Sequence, residues 1–359
     1  MNWIARSSQQ LDHNLLLSYR DRWIDLRTRA LAFLSCHSTC IGLLFFLLLS
    51  AWTAYSWFLT VQRIVHYYNP LPIWDYWNVV QHLPRYRAFD FRVLWEQHNE
   101  HRIVFPEIIF ALDMLLAHGR QIVPLAISFL CYFSTWVVMS WAVFSDRSLT
   151  LTIRLLAVLL AGIVIGWQGS VMALGIPFLL NWTVTQCALV LALGLVAALR
   201  RTSRISFLIG TVICGTIATY SSGNGMLVWP VILVVSWVSS LRSRYMLVLG
   251  IAAISNIGLY FVDYRVSGGL DLGKLLSHPL YLVGFLSSYV SMPFGLLQSP
   301  QFGIWVGLLN LLLFFSLLAI AARARLLASA PAIVLFGYLA FTLLTALLTA
   351  AGRMNPDDL

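Results

Sequence analysis

The chain is written in long apolar runs separated by short polar ones. From about Cys40 almost to the last residue, stretches of roughly 18 to 25 nonpolar side chains recur, each long enough to cross a hydrocarbon core of about 30 Å. The pattern predicts a first span near 40–64 and further spans near 121–144, 150–167, 181–199, 205–220, 225–239, 245–262, 279–297, 303–322 and 331–350, about ten in all. They are expected to be helices, because lipid offers no hydrogen-bond partner to the backbone of any open structure. Residues 1–36 are polar and mixed, so the expected organisation is a tail over 1–36 and one polytopic transmembrane domain over 37–359.

Two segments break the rhythm. Tyr67 to Arg102 holds four acids (Asp75, Asp90, Glu96, Glu100), histidines 82, 98 and 101, and arginines 85, 87, 92 and 102. Ile103 to His118 comes next, apolar on one side but only about 16 residues long and carrying Pro106, Glu107 and Asp113. It reads as a helix lying in the interface rather than as a span.

Composition fixes the class. Hydrophobic residues make up 60% and charged residues 10% of 359, with a mean hydropathy of +0.81, whereas soluble domains carry about a quarter charged residues. A net charge of +9 would suggest nucleic acid in a soluble protein. Here the arginines cluster at helix ends, where they act as topology signals, and no nucleic-acid partner is expected. The five cysteines, at 36, 40, 131, 187 and 214, make no metal-ligand spacing.

The positive-inside rule orients the chain. Arg6, Arg20, Arg22, Arg27 and Arg29 place the tail in the cytoplasm. The polar island then faces the opposite side, which in a bacterium is the periplasm. The clusters at Arg147 and Arg154, Arg200 to Arg204, and Arg242 and Arg244 alternate correctly if 103–118 does not cross. Arg323 and Arg325 fit only if 279–297, broken by Pro293 and Gly295, is re-entrant. The loops Trp167–Trp182, Ser221–Gly225 and Asp263–His278 and the C-terminal tail then share the outer side with the island.

Within the island, WDYW sets Asp75 among three aromatics at the membrane surface. A partly desolvated carboxylate there attracts a cation or takes an acidic proton, against the alternative of an interfacial aromatic belt with an incidental acid. In LWEQHNEHR, a helical conformation would put Glu96, Glu100 and His101 on one face, with His98 and Arg102 on adjacent strips. Such a face can hold a divalent cation or grip a phosphate, or it can be a solvated surface on which Glu96 and Glu100 pair with Arg92 and Arg102. Asn224, between two glycines, is a turn residue at positive φ or a sugar contact. Arg353 is a second phosphate contact or a flanking charge. Glu107 and Asp113 are functional candidates by default, though snorkelling to the surface is easy there.

An acid among aromatics after the first span, then an acidic and basic cluster and an interfacial helix, resembles the first outer loop of GT-C membrane glycosyltransferases. EQHNEHRI with Pro106, and SSGNGMLVWP at 221–230, resemble uncharacterised bacterial members grouped with that superfamily. The chain ends just beyond an apparent span, where relatives commonly continue. The resemblance implies an all-α GT-C-like fold at the bacterial inner membrane, with an active site facing the periplasm. It further implies an inverting transfer of a sugar from a polyprenyl-phosphate donor to a glycan, lipid or protein acceptor, with membrane lipids as surroundings. On this reading Asp75 is the catalytic base or a metal ligand. Arg102, Arg85 and Arg87 meet the phosphate, and Glu96, His98, Glu100, His101, Asn224 and Arg353 line the substrate site. Asp75, Glu100 and His101 are the expected ligands of any Mg or Mn ion. The rival readings are a polysaccharide polymerase or ligase, a transporter of lipid-linked glycans and a non-catalytic scaffold.

Overall fold

The computed structural model describes residues 40, 42–167, 174–265, 277–292 and 300–353, without the side chains of 300, 301 and 353. The chain divides into two units, Met1–Trp52 and Thr53–Leu359. In the first, the described residues are 40 and 42–52, all helical. The second holds the rest of the described chain, including the island.

The described residues form thirteen α-helices, and nearly every predicted span is one of them. α1 is Gly42–Tyr67. In the island lie α2 (Tyr76–Gln81) and α3 (Leu83–Arg87), followed by α4 (Val104–Leu116). Then come α5 (Ile122–Ser145), α6 (Leu151–Ile165), α7 (Leu180–Thr202), α8 (Ile205–Thr219) and α9 (Val228–Val238). α10 (Ser243–Tyr260), α11 (Pro279–Ser291), α12 (Pro300–Arg323) and α13 (Ala330–Arg353) complete the series. Six of them, α1, α5, α7, α10, α12 and α13, are long and apolar enough to cross a membrane. The helices α6, α8, α9 and α11 are shorter, and at 1.5 Å per residue they extend only about 16 to 23 Å. The predicted re-entrant break at Pro293 and Gly295 lies outside the described residues.

Packing is organised around α7. In its most apolar stretch 78% of residues are buried, against 11% in α12 and 17% in α5. A helix apolar all round belongs inside, and helices with one exposed apolar face belong against lipid. Leu189, Val190, Ala192, Leu193 and Val196 of α7 are fully buried and join Leu208 of α8, Ile232 of α9, Leu249 of α10 and Phe341 of α13 in one core. Small residues permit the close approaches, as is usual between helices that lack a solvent-driven force. A Cβ on Gly337 would meet Leu193 at 2.7 Å, and one on Gly307 of α12 would meet the Ser287 carbonyl of α11 at 1.9 Å. Large apolar side chains on the far faces, such as Leu130, Ile254, Leu312 and Trp305, are exposed.

One helix-end arginine ties neighbouring helices together. Arg200, at the end of α7, donates to the Ser239 carbonyl at 2.9 Å and to the Ala328 carbonyl at 2.8 Å. It thereby joins the end of α9 to the α12–α13 connection, a favourable use of a cation near helix C-terminal carbonyls.

Candidate functional site

The island folds into short elements beside α4, α8 and α10. α2 and α3 are followed by a 3-10 helix, Phe91–Trp95, and by an antiparallel hairpin pairing Gln97 with Arg102 and His98 with His101. The helical face expected of Glu96, Glu100 and His101 therefore does not form. Asn99 takes the left-handed conformation, φ 50°, which asparagine tolerates better than most residues, and reverses the chain between the two strands. Gln97 fastens the turn by donating to the Asn99 and Arg265 carbonyls at 2.6 and 2.7 Å and accepting from the Arg265 amide at 2.9 Å.

Arg102 anchors this hairpin. Arg102 is 2% exposed, and its guanidinium donates to the carbonyls of Tyr260 at 2.7 Å, Trp95 at 2.5 Å and Val262. Its plane lies 4.8 Å from the Trp95 ring. The predicted phosphate contact is thus a buried clamp that binds the hairpin to the C-terminal end of α10, with its charge set against helix-end carbonyls. Tyr260 and Tyr264 hydroxyls donate to the Glu100 carbonyl at 3.2 and 3.1 Å, while Glu100 itself is exposed. His101 turns the other way: its Nδ1 accepts from the Gly223 amide at 3.0 Å. That contact is tight enough that a Cβ on Gly223 would sit 2.6 Å from the ring nitrogen.

The other predicted residues are dispersed. Arg85 is held by two acids, donating to Asp90 at 3.0 Å and to both oxygens of Glu96 at 2.7 Å, so its charge is already matched. Hydrogen bonds from Arg92 and then Arg85 hold the Asp90 carboxyl down to about 2. Arg87 is exposed. Asn224 lies in a 3-10 helix, Gly223–Leu227, and not at positive φ; a Cβ on its neighbour Gly225 would fall 1.7 Å from the Ala218 carbonyl. Arg353 ends α13. The described residues contain no group of three His, Cys, Asp or Glu side chains able to hold a metal ion. Asp75, Glu100 and His101 are not brought together, because the hairpin turns Glu100 outward and commits His101 to Gly223.

Asp75 precedes α2 without capping it through its side chain, and follows Trp74, whose φ of 51° is unusual for a bulky residue. Its side chain is 50% exposed, more open than its aromatic flanks suggest, and its Oδ2 lies 3.5 Å from His98 Nε2. That separation and alignment fall short of a hydrogen bond, and Nε2, itself buried, has no hydrogen-bond partner among the described residues. His98 packs against Phe178, ring centres 5.0 Å apart.

His98 and Glu96 line a cavity of about 270 Å³, walled by α2 through Asn78 and Gln81, by the 3-10 helix and hairpin, and by Ile103 and Glu107. On its α4 side Glu107, a candidate in the sequence, meets His82 and Tyr86, which the sequence did not single out. Glu107, only 3% exposed, does not snorkel: it accepts from Tyr86 and lies 2.6 Å from His82 Nδ1. Burial, and then the Glu107 charge, push the Tyr86 hydroxyl well above its ordinary range. Asp113, fully buried, accepts from the amides of Gln121 at 2.8 Å and Val123 at 3.0 Å and from Tyr76 at 3.2 Å, which caps the start of α5. The signal for both acids was their place in an otherwise apolar helix, with His82 and Tyr86 four residues apart.

Compared with family models, curated proteins and solved structures, the chain matches none of them.

Proposed function

We propose that this protein is a polytopic membrane glycosyltransferase of GT-C type that moves a sugar from a polyprenyl-phosphate donor to an envelope acceptor on the periplasmic face. The observation that supports the reading best is the cavity itself. Carboxylate, imidazole and carboxamide groups gather around about 270 Å³ in a chain otherwise made of apolar helices, a volume near the lower end of ligand pockets and on the scale of a sugar ring.

Transfer from a lipid phosphate needs a base for the acceptor hydroxyl and a greasy bed for the polyprenyl chain. The resemblance assigns the base to Asp75, whose carboxylate is half exposed beside His98. The exposed apolar faces of the helices suit the lipid. With Arg102 buried, and Arg85 and Arg92 both paired with acids, the exposed Arg87 is the island arginine assigned to the phosphate. All ten apolar segments cross or enter the bilayer on this reading, with α4 lying at the outer interface.

The test is mass spectrometry of envelope glycans from a deletion strain complemented with wild type or with Asp75→Ala at equal protein level. Deletion should remove or truncate a glycan that wild type restores and the variant does not. Unchanged glycans in the deletion strain would refute the proposal.

A further inference from the structure

On one wall of the cavity a buried acid meets a histidine. Glu107 reaches the cavity from α4, and a 2.6 Å contact joins Glu107 Oε1 to His82 Nδ1. The same oxygen accepts the Tyr86 hydroxyl. Glu107 is 4% and His82 26% exposed in their side chains, so the carboxylate is enclosed while the imidazole opens onto the cavity that it lines. Asp75, by contrast, is not among the residues that line it.

A carboxylate accepting at Nδ1 fixes which ring nitrogen carries the proton. In the tautomer that donates from Nδ1 to Glu107, the lone pair lies on Nε2 at the other edge of the ring, and that ring lines the cavity. Tyr86 completes the arrangement by holding the carboxylate in place. A base within a cavity, oriented by a buried acid that is itself hydrogen-bonded, has the geometry that general-base catalysis requires.

We infer that His82 is the group that takes the proton of the bound acceptor hydroxyl, with Glu107 as its positioning residue. This inference rests on the transferase reading and moves the base from Asp75, where the resemblance puts it, to His82, which lines the cavity. The acceptor O–H bond breaks and its proton moves to Nε2. The oxygen's electron pair forms the bond to the anomeric carbon of the polyprenyl-phosphate sugar. The bond from that carbon to the phosphate oxygen breaks, and its electrons leave on the phosphate. The product imidazolium is paired with the Glu107 carboxylate.

The experiment has two readouts on the full chain. In lipid nanodiscs, nitrogen NMR of histidine-labelled protein, with the His82 signal identified by His82→Gln, should show a protonated Nδ1 and an unprotonated Nε2. Glu107→Met should abolish that preference without unfolding the chain, as checked by its thermal melt. In the complemented deletion strain, His82→Gln should slow appearance of the deletion-sensitive glycan by about 100-fold or more, the loss typical of a general base, and Tyr86→Phe by far less. A protonated Nε2, or full glycan synthesis by His82→Gln, would overturn the inference and leave the transferase reading standing. A deletion that alters no glycan would instead defeat the transferase reading, and this role with it.

Discussion

Replacing Arg102 by Met keeps the length and the apolar stem of the side chain but removes its donors. Three carbonyls, those of Tyr260, Trp95 and Val262, lose their partner. The Tyr260 carbonyl is buried and the other two are partly so, and a buried acceptor left unsatisfied costs about 1 to 3 kcal/mol. Allowing about 1.5 kcal/mol for the Tyr260 carbonyl, about 0.5 kcal/mol for each of the two partly exposed ones, which water can reach, and ~0.5 kcal/mol for the guanidinium over Trp95, the expected loss is about 3 kcal/mol. That loss falls on the docking of the hairpin to α10, so it should appear as local opening rather than global collapse. Amide hydrogen exchange over Glu96–Arg102 should accelerate roughly a hundredfold, since about 1.4 kcal/mol is a factor of ten, while α7 keeps its protection. Arg102→Lys should fall between, because an ammonium cannot reach all three carbonyls in the same fork. Unchanged exchange in Arg102→Met would refute the clamp and return Arg102 to the candidates for phosphate binding.

Asp113→Ala removes the acceptor for two amides at the start of α5 and for Tyr76; a lost cap costs about 1 to 2 kcal/mol, so the thermal melt should drop and Asp113→Asn should recover part of it. Gly307→Ala places a methyl 1.9 Å from the Ser287 carbonyl, and α11 and α12 must separate; disulfide trapping between cysteines placed on their facing sides should fall sharply. Asp90, held down to about 2 by Arg92 and Arg85, contributes its pairing in full above the ordinary carboxylate range and loses it only as pH falls toward 2. Exchange of the 3-10 segment Phe91–Trp95 should accordingly be the same at pH 5 and pH 8 once corrected for intrinsic rates, and Asp90→Asn should accelerate it at both.

The apolar helices were legible because each depends on a local property, a sustained run of nonpolar residues, which tertiary context had no reason to override. The island was legible as a place but not as a shape. Its dense charges suggested a helical face, and the decisive facts were distant in sequence: Arg102 meets Tyr260 and Val262, and His101 meets Gly223. No spacing within EQHNEHR reports partners more than 100 residues away. Asp75 stood out because it is flanked by aromatics, yet those aromatics leave it half open. Glu107 and Asp113 were visible as acids in an apolar helix, but the ease of snorkelling suggested a surface role. Burial of both reflects partners supplied by separate elements, His82 and Tyr86 for one and the start of α5 for the other.

If the cavity beside α2 and α4 handles a lipid-linked sugar, a reactive group placed in its wall should capture one. Gln81 is exposed and lines that cavity, so a photoreactive residue in its place can be crosslinked in living cells and the adducts read by mass spectrometry. Adducts carrying a polyprenyl-phosphate sugar or its glycan acceptor are expected there, and not when the same residue is placed at Leu312 on the exposed apolar face of α12. Adducts with bulk phospholipid alone at both positions would contradict the role of the cavity.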